Sequence, residues 1–290
     1  MDESSGGMRG VWLATALAAL AACGTASAAT APPTRYQADG FVLADARHGP
    51  QLCAGVAFSM PPQCAGPDIV GWDWNTVDHD AQGGVRWGDY HVVGTWDGER
   101  LTLTEPPRPA KRPDAPPDRS DFIPSPCPEP IGGWRPVDPA KATDQAIDAA
   151  IDLAKKIPGY AGGWLDQSYL DEIEGYDPRD PIEGYANDPE RLVLNLRFTG
   201  DPAVHEPAIR EVWGGALCLS HAEQTRARLH AIQKRIEKEI KGLYSIGTDE
   251  LKDHVDVGAW VVTEELRREV EERYGKGLVV LHSFLEPVDD

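Results

Sequence analysis

The sequence predicts an α+β protein: a small antiparallel β-barrel or sandwich near the N terminus and a two-layer α/β sandwich near the C terminus. Three observations carry this. Residues 36–105 are rich in Gly, Trp and Val, with short strand-like runs between turn signals and no helical period. Twelve of the 25 prolines crowd between Pro106 and Pro139, a density that forbids regular structure and marks a linker. Beyond it, strand and helix patterns alternate to the end.

In order, residues 1–22 read as a secretory signal. Arg9 is a short basic region, and Val11 to Leu20 form an apolar run too short for the roughly 20 residues a membrane span needs. Leu20-Ala21-Ala22-Cys23 resembles the lipobox of bacterial lipoproteins. That resemblance implies a diacylglyceryl group on Cys23, cleavage before it, and an exported protein lipid-anchored at the outer face of the cell membrane. Ala26-Ser27-Ala28 offers the alternative of plain secretion after cleavage behind Ala28. Residues 23–35, small and proline-bearing, have the composition of a tether.

The β module, 36–105, is expected to contain strands at Phe41–Leu43, Ile69–Trp72, Tyr90–Val93 and Leu101–Thr104. Asp97-Gly98 signals a two-residue hairpin turn. In the linker, 106–137, residues 106–120 read as free. Residues 121–137, with Phe122, Ile123, Cys127 and Trp134, read as lying against a surface. The C-terminal module, 138–290, opens with a helix from Asp138-Pro139 as cap and first position, its apolar face running from Ala142 to Ile157. A strand over Tyr160–Leu165 and a polar loop over 167–190 follow. Arg191–Thr199 alternates as a half-buried strand, and a helix is expected over Pro202–Trp213. Next come a strand at Ala216–Leu219, a helix at His221–Lys241, a strand at His254–Val262, a helix at Glu264–Tyr274 and a strand at Leu278–His282. A ferredoxin-like wiring fits this order.

Residues Leu243–Asp249, Val255–Val261 and Tyr274-Gly275 before an apolar strand look like the propeptide modules of secreted bacterial chymotrypsin-like proteases. Those modules pack against a protease, help it fold and inhibit it. For this chain the resemblance implies a fold and a tendency to bind another protein through a sheet. It brings no catalytic residues.

With Cys23 assigned to lipid, Cys53, Cys64, Cys127 and Cys218 remain, an even set that reads as disulfides in an exported chain. Four cysteines allow three pairings. The short loop through Met60-Pro61-Pro62 favours Cys53–Cys64, leaving Cys127–Cys218 to pin the linker to the second module. Loop entropy makes these worth about 3 and about 4.5 kcal/mol.

The net charge of −19 repels phosphates and anionic headgroups, which argues against nucleic acid and leaves membrane attachment to the lipid. From Asp78 to Asp89, the oxygens of Asp78, Asp80, Gln82 and Asp89 fall at positions 1, 3, 5 and 12 with Gly83 at 6, close to a calcium loop. The acidic loop over 171–190 is a second place for calcium. Trp72, Trp74, Trp87 and Trp96 form either a core or a platform on which sugar rings stack. No GxSxG, HExxH, P-loop or GxGxxG occurs. The expectation is a non-catalytic module, without resident cofactor apart from calcium, binding an envelope protein or cell-wall polymer. The alternative is an envelope hydrolase or glycan-binding protein using the Trp- and Asp-rich face.

Overall fold

The computed structural model describes residues 33–288 apart from 58, 112–121, 175 and 177–185. The signal, Cys23 and the tether up to Pro32 lie outside the described residues. The architecture is mixed α+β, with four α-helices and three sheets among the described residues.

The N-terminal strands are β1 (Arg35–Ala44), β2 (Gln51–Cys53), β3 (Ile69–Val70), β4 (Asp80–Gln82), β5 (Val85–Trp96), β6 (Leu101–Leu103) and β7 (Arg108–Pro109). β1 and β5 pair antiparallel along their full length, from Arg35 opposite Thr95 to Ala44 opposite Arg86. Strand alternation turns Tyr90 and Val92 of β5 and Ala38 and Val42 of β1 into one core with Leu52, Ile69, Trp74 and Leu101. Gly83 and Gly84, at φ +59° and +82°, make the tight turn between Gln82 and Val85 that only glycine adopts readily at both positions. The Asp97-Gly98 hairpin exists but is longer than expected. Trp96 pairs with Leu101, and Asp97 Oδ1 accepts from the backbone N–H groups of Glu99 and Arg100, holding a four-residue loop. Nor is the proline-rich stretch free from its start: β7 pairs with Tyr90 and His91, and Ala110 donates to the Asp89 carbonyl at 3.1 Å.

The C-terminal half contains α1 (Asp144–Ala154), β8 (Tyr160–Asp166), β9 (Val193–Phe198), α2 (Glu206–Arg210), β10 (Ala216–His221), α3 (Arg226–Glu239), β11 (Leu243–Asp249), β12 (His254–Ala259), α4 (Glu264–Tyr274) and β13 (Val279–Ser283). These are two copies of one unit, α-β-β-α-β. In each, the first two strands are antiparallel, and a helix crosses over to a third strand parallel to the second. The result is two three-stranded sheets, β10-β9-β8 and β11-β12-β13, and not the one sheet a ferredoxin-like wiring would build. Each unit closes its own core. Ile147, Ala150, Leu194, Leu196, Phe198 and Trp213 fill the first, and Leu229, Ile236, Val255, Val257, Val270 and Leu281 the second.

Caps explain the shifted helix starts. Asp138-Pro139 forms only a 3-10 turn over Pro139–Lys141. Thr143, whose Oγ1 accepts from the Ala146 N–H at 3.2 Å, begins α1. β10 runs on to His221, so α3 starts later than expected, behind Thr225. Pro202–His205 is 3-10, leaving α2 five residues. α4 begins and ends as expected, between Thr263 and Gly275 at φ +99°.

β9 is buried at every position, whereas its alternation predicts a half-buried strand. The segment 122–137 supplies the second cover, with Cys127 and Trp134 packed on Val193, Ala216 and Cys218. A disulfide joins Cys127 to Cys218, and another joins Cys53 to Cys64. Asp166 anchors the same segment through Ser125, and Trp164 donates its indole N–H to the Ile123 carbonyl at 2.9 Å.

β14 (Glu286–Pro287) returns to pair with Tyr36 and Gln37 of β1, and Trp260 and Leu285 sit in the N-terminal core. The path β14-β1-β5-β6-β3 has two ends, so the sheet does not close into the expected barrel. The two halves thus share a core, and from Thr34 onward the chain is one compact unit.

Candidate functional site

The residues singled out in the sequence go to different places. Cys23 lies outside the described residues. Asp78 and Asp89 line one cleft of about 400 Å³ with Val77, Tyr90, Pro107 and Pro109. Asp80 and Gln82 are exposed on β4, in the hairpin. Tyr90 donates its hydroxyl to the Asp78 carbonyl at 2.6 Å. Burial, with the negative charges of Asp78, Asp80 and Asp89, pushes its phenol up to about 12. Part of the acidic loop, 177–185, is outside the described residues.

Trp72, Trp74 and Trp96 spend their rings on packing. Trp72 meets Trp74 edge-on at 5.2 Å and Tyr90 at 4.9 Å, and Trp96 lies 6.5 Å from Trp260. The indole N–H groups of Trp72 and Trp74 are buried and have no partner among the described residues. Trp87 is half-buried on β5.

The second repeat carries an unpaired strand edge among the described residues. β11 pairs only with β12 among the described residues, which leaves its other edge without a strand partner there; Ser245 is exposed and its other six residues are half-buried. A groove of about 440 Å³ lies beside the start of that strand, lined by Glu237, Ile240, Lys241, Leu243, Tyr244 and Ile246 among others. β11 carries no charge before Asp249, and a shift in register between Leu243 and Ser245 twists its first residues. Unpaired edges that lack Lys and Pro accept strands from other chains.

At the far end of the same sheet stands a polar group that sequence reasoning missed. Among the described residues, one donor atom each from Asp249, His254 and Asp256 lie within 4.8 Å of one another. His254 Nε2 is 3.2 Å from Asp256 Oδ2, and His282 Nε2 is 2.9 Å from Asp256 Oδ1. Asp249 Oδ1 accepts from the N–H groups of Leu251 and Lys252, while Oδ2 pairs with Lys252 Nζ at 3.0 Å. Burial pushes the Asp249 carboxyl up, but the bonds and charge of Lys252, with the Leu251 N–H, hold it below the usual aspartate value. The available signal was His254-x-Asp256 on a strand, where period 2 puts both side chains on one face, and a turn bringing Asp249 opposite His254.

A third polar cluster is structural. Asp166 Oδ2 takes the N–H and hydroxyl of Ser125 at 2.6 and 2.8 Å, and Oδ1 takes those of Ser168 at 2.9 and 2.6 Å. Burial raises this carboxyl, but the four donors outweigh it and leave it below the ordinary 3.8. A fully satisfied carboxylate fastens segments and has no lone pair directed at a substrate. Compared with known proteins, the chain matches no family model and no curated protein sequence.

Proposed function

We propose that this chain is an exported lipoprotein, anchored through Cys23, that acts without catalysis by binding an envelope protein along the open edge of β11. The observation that carries the reading is that edge: the seven residues of β11 pair on one side only among those described, beside a groove where Ile240, Leu243 and Tyr244 meet Glu237 and Lys241. Backbone groups supply the affinity of such strand addition, and side-chain pockets beside it supply selectivity. The resemblance to protease propeptide modules covers the same strands and supports the same use of the sheet. The two disulfides belong to the chemistry of an oxidising compartment. Among the described residues, no helix is long and apolar enough to cross a membrane, and the lipid on Cys23 is the proposed attachment.

The test is crosslinking of the full-length protein in cells, with mass spectrometry of what is captured. One dominant protein, crosslinked near β11 and lost in Ser245→Lys, is the expected result, because an edge lysine opposes strand pairing. Ser245 is exposed, so the substitution leaves the core alone. Cell-wall glycan captured at Trp87 or Asp89 would replace this reading with the glycan-binding one. A mature chain starting at Ala29 without lipid would remove the anchor.

A further inference from the structure

We infer that Asp249, His254 and Asp256 form a binding site for a divalent transition ion of the zinc class, with His282 orienting Asp256 from outside. This inference does not rest on the docking edge.

The site occupies one face of the second sheet and draws on all three strands. Register puts Asp249 of β11 opposite His254 of β12, and Gly247 opposite Asp256. Asp256 lies opposite Val280, so His282, two residues along β13, shares its face. Gly247 matters for what it omits. A Cβ there would meet nothing within 4 Å, so the space over Asp256 is open.

The donors match zinc better than calcium or magnesium. An imidazole with two carboxylates suits zinc and its neighbours, whereas the hard ions take oxygen alone. Zinc bonds of about 2.0–2.2 Å in a tetrahedron separate neighbouring donors by about 3.3–3.5 Å. His254 and Asp256 already stand 3.2 Å apart. Asp249 need close only a short gap, and its Oδ1 is held by two backbone donors, leaving Oδ2 to ligate.

A cation already uses this position. Lys252 Nζ sits on Asp249 Oδ2 at 3.0 Å and also senses the charge of Asp256. Its side chain is 72% exposed and free to swing into water, so a doubly charged ion displaces it at small cost. Metal-bound carboxylates are normally held by an outer partner, and His282 Nε2, at 2.9 Å from Asp256 Oδ1, fills that part. His254 is only 12% exposed, which fixes its ring, while Asp256 at 41% keeps the fourth position open to solvent.

The test is calorimetric titration of the untagged, full-length protein, stripped with a chelator, with ZnCl2 and separately with CaCl2. One zinc per chain should bind, with calcium at least tenfold weaker. Asp256→Asn and His254→Gln should each abolish that binding. His282→Ala should weaken it 10- to 100-fold, the usual effect of losing an outer partner. Lys252→Ala should tighten it, an outcome that a merely structural role for these residues does not produce. Circular dichroism of each variant checks folding, and Asp256→Asn, which keeps the size of a half-buried side chain, is the substitution least able to disturb it. Absence of saturable zinc binding, or the same affinity in Asp256→Asn as in the parent, would overturn the inference. So would tighter binding of calcium.

Discussion

The two α-β-β-α-β repeats share a topology and differ in what covers the sheet. In the first, β9 reads VLNLRF and every residue is buried: helices lie on one face, and on the other the disulfide-pinned segment 122–137 packs on Val193 while Arg197 is held by Glu250 and Asp253 from the turn between β11 and β12. In the second, β12 reads HVDVGA. Val255 and Val257 face the helices, while His254, largely buried, and Asp256, in partial contact with solvent, lie on the opposite face. One sheet is sealed and holds its region together. The other keeps a face and an edge in reach of solvent, and both the proposed docking edge and the proposed metal site lie there. The topology is therefore neutral, and the covering segment decides which copy is available for binding.

Uncovering the first sheet is the most direct way to break this contrast. Cys127→Ala with Cys218→Ala removes a crosslink across 91 residues, worth about 4.5 kcal/mol by loop entropy. The melting temperature should fall accordingly. Amide exchange should rise in β9 and β10 before it rises in β12. Equal acceleration in both repeats would show that the cover does not act locally.

A smaller effect separates the two central strands. Leu196→Ala, at a fully buried position, should cost about 3 kcal/mol in denaturant unfolding. Asp256→Asn, on the open face of β12, should stay within about 0.5 kcal/mol without metal. Comparable losses would mean that the second face of β12 is also covered.

A third experiment sharpens the role of Asp166, the polar anchor of the cover. Asp166→Asn weakens up to four hydrogen bonds and should cost about 1–3 kcal/mol. Its pH dependence has a defined sign. The folded-state value lies below the unfolded 3.8, so its stabilisation is present above that pH and is lost as pH falls through the lowered value. The parent should therefore lose stability more steeply than the variant as pH falls below 3.8, and parallel curves would exclude Asp166 as the anchor.

Much of the fold was legible because local chemistry determines it. Thr263 and Gly275 bound α4 at the positions their capping preferences dictate. The spacing of the four cysteines favoured the pairing that forms. Legibility failed where distant segments meet. Alternation in Arg191–Thr199 carries no mark of a second cover that arrives from 122–137. Nothing local in Asp138-Pro139 shows that Gly214 ties down the turn before α1, accepting from Val137 and Asp138 and donating to Lys141. The Asp249–His254–Asp256 group was legible only in part: His254-x-Asp256 is a local signal, but Asp249 reaches it across a turn and His282 comes from a strand reached only through α4.

By itself, the sequence determined the mixed class, the caps and most elements, because these depend on residues within a turn or two of each other. Its cysteine pairs are compatible with the proposed export, and Leu20–Cys23, which resembles a lipobox, is the basis for the proposed anchor. Only the tertiary structure decided that the C-terminal elements form two repeated sheets, that Trp260 and Leu285 complete the N-terminal core, and that one repeat is sealed while the other stays open. Those outcomes depend on register and on which surfaces meet, and contacts between residues far apart in the chain leave no period in either partner.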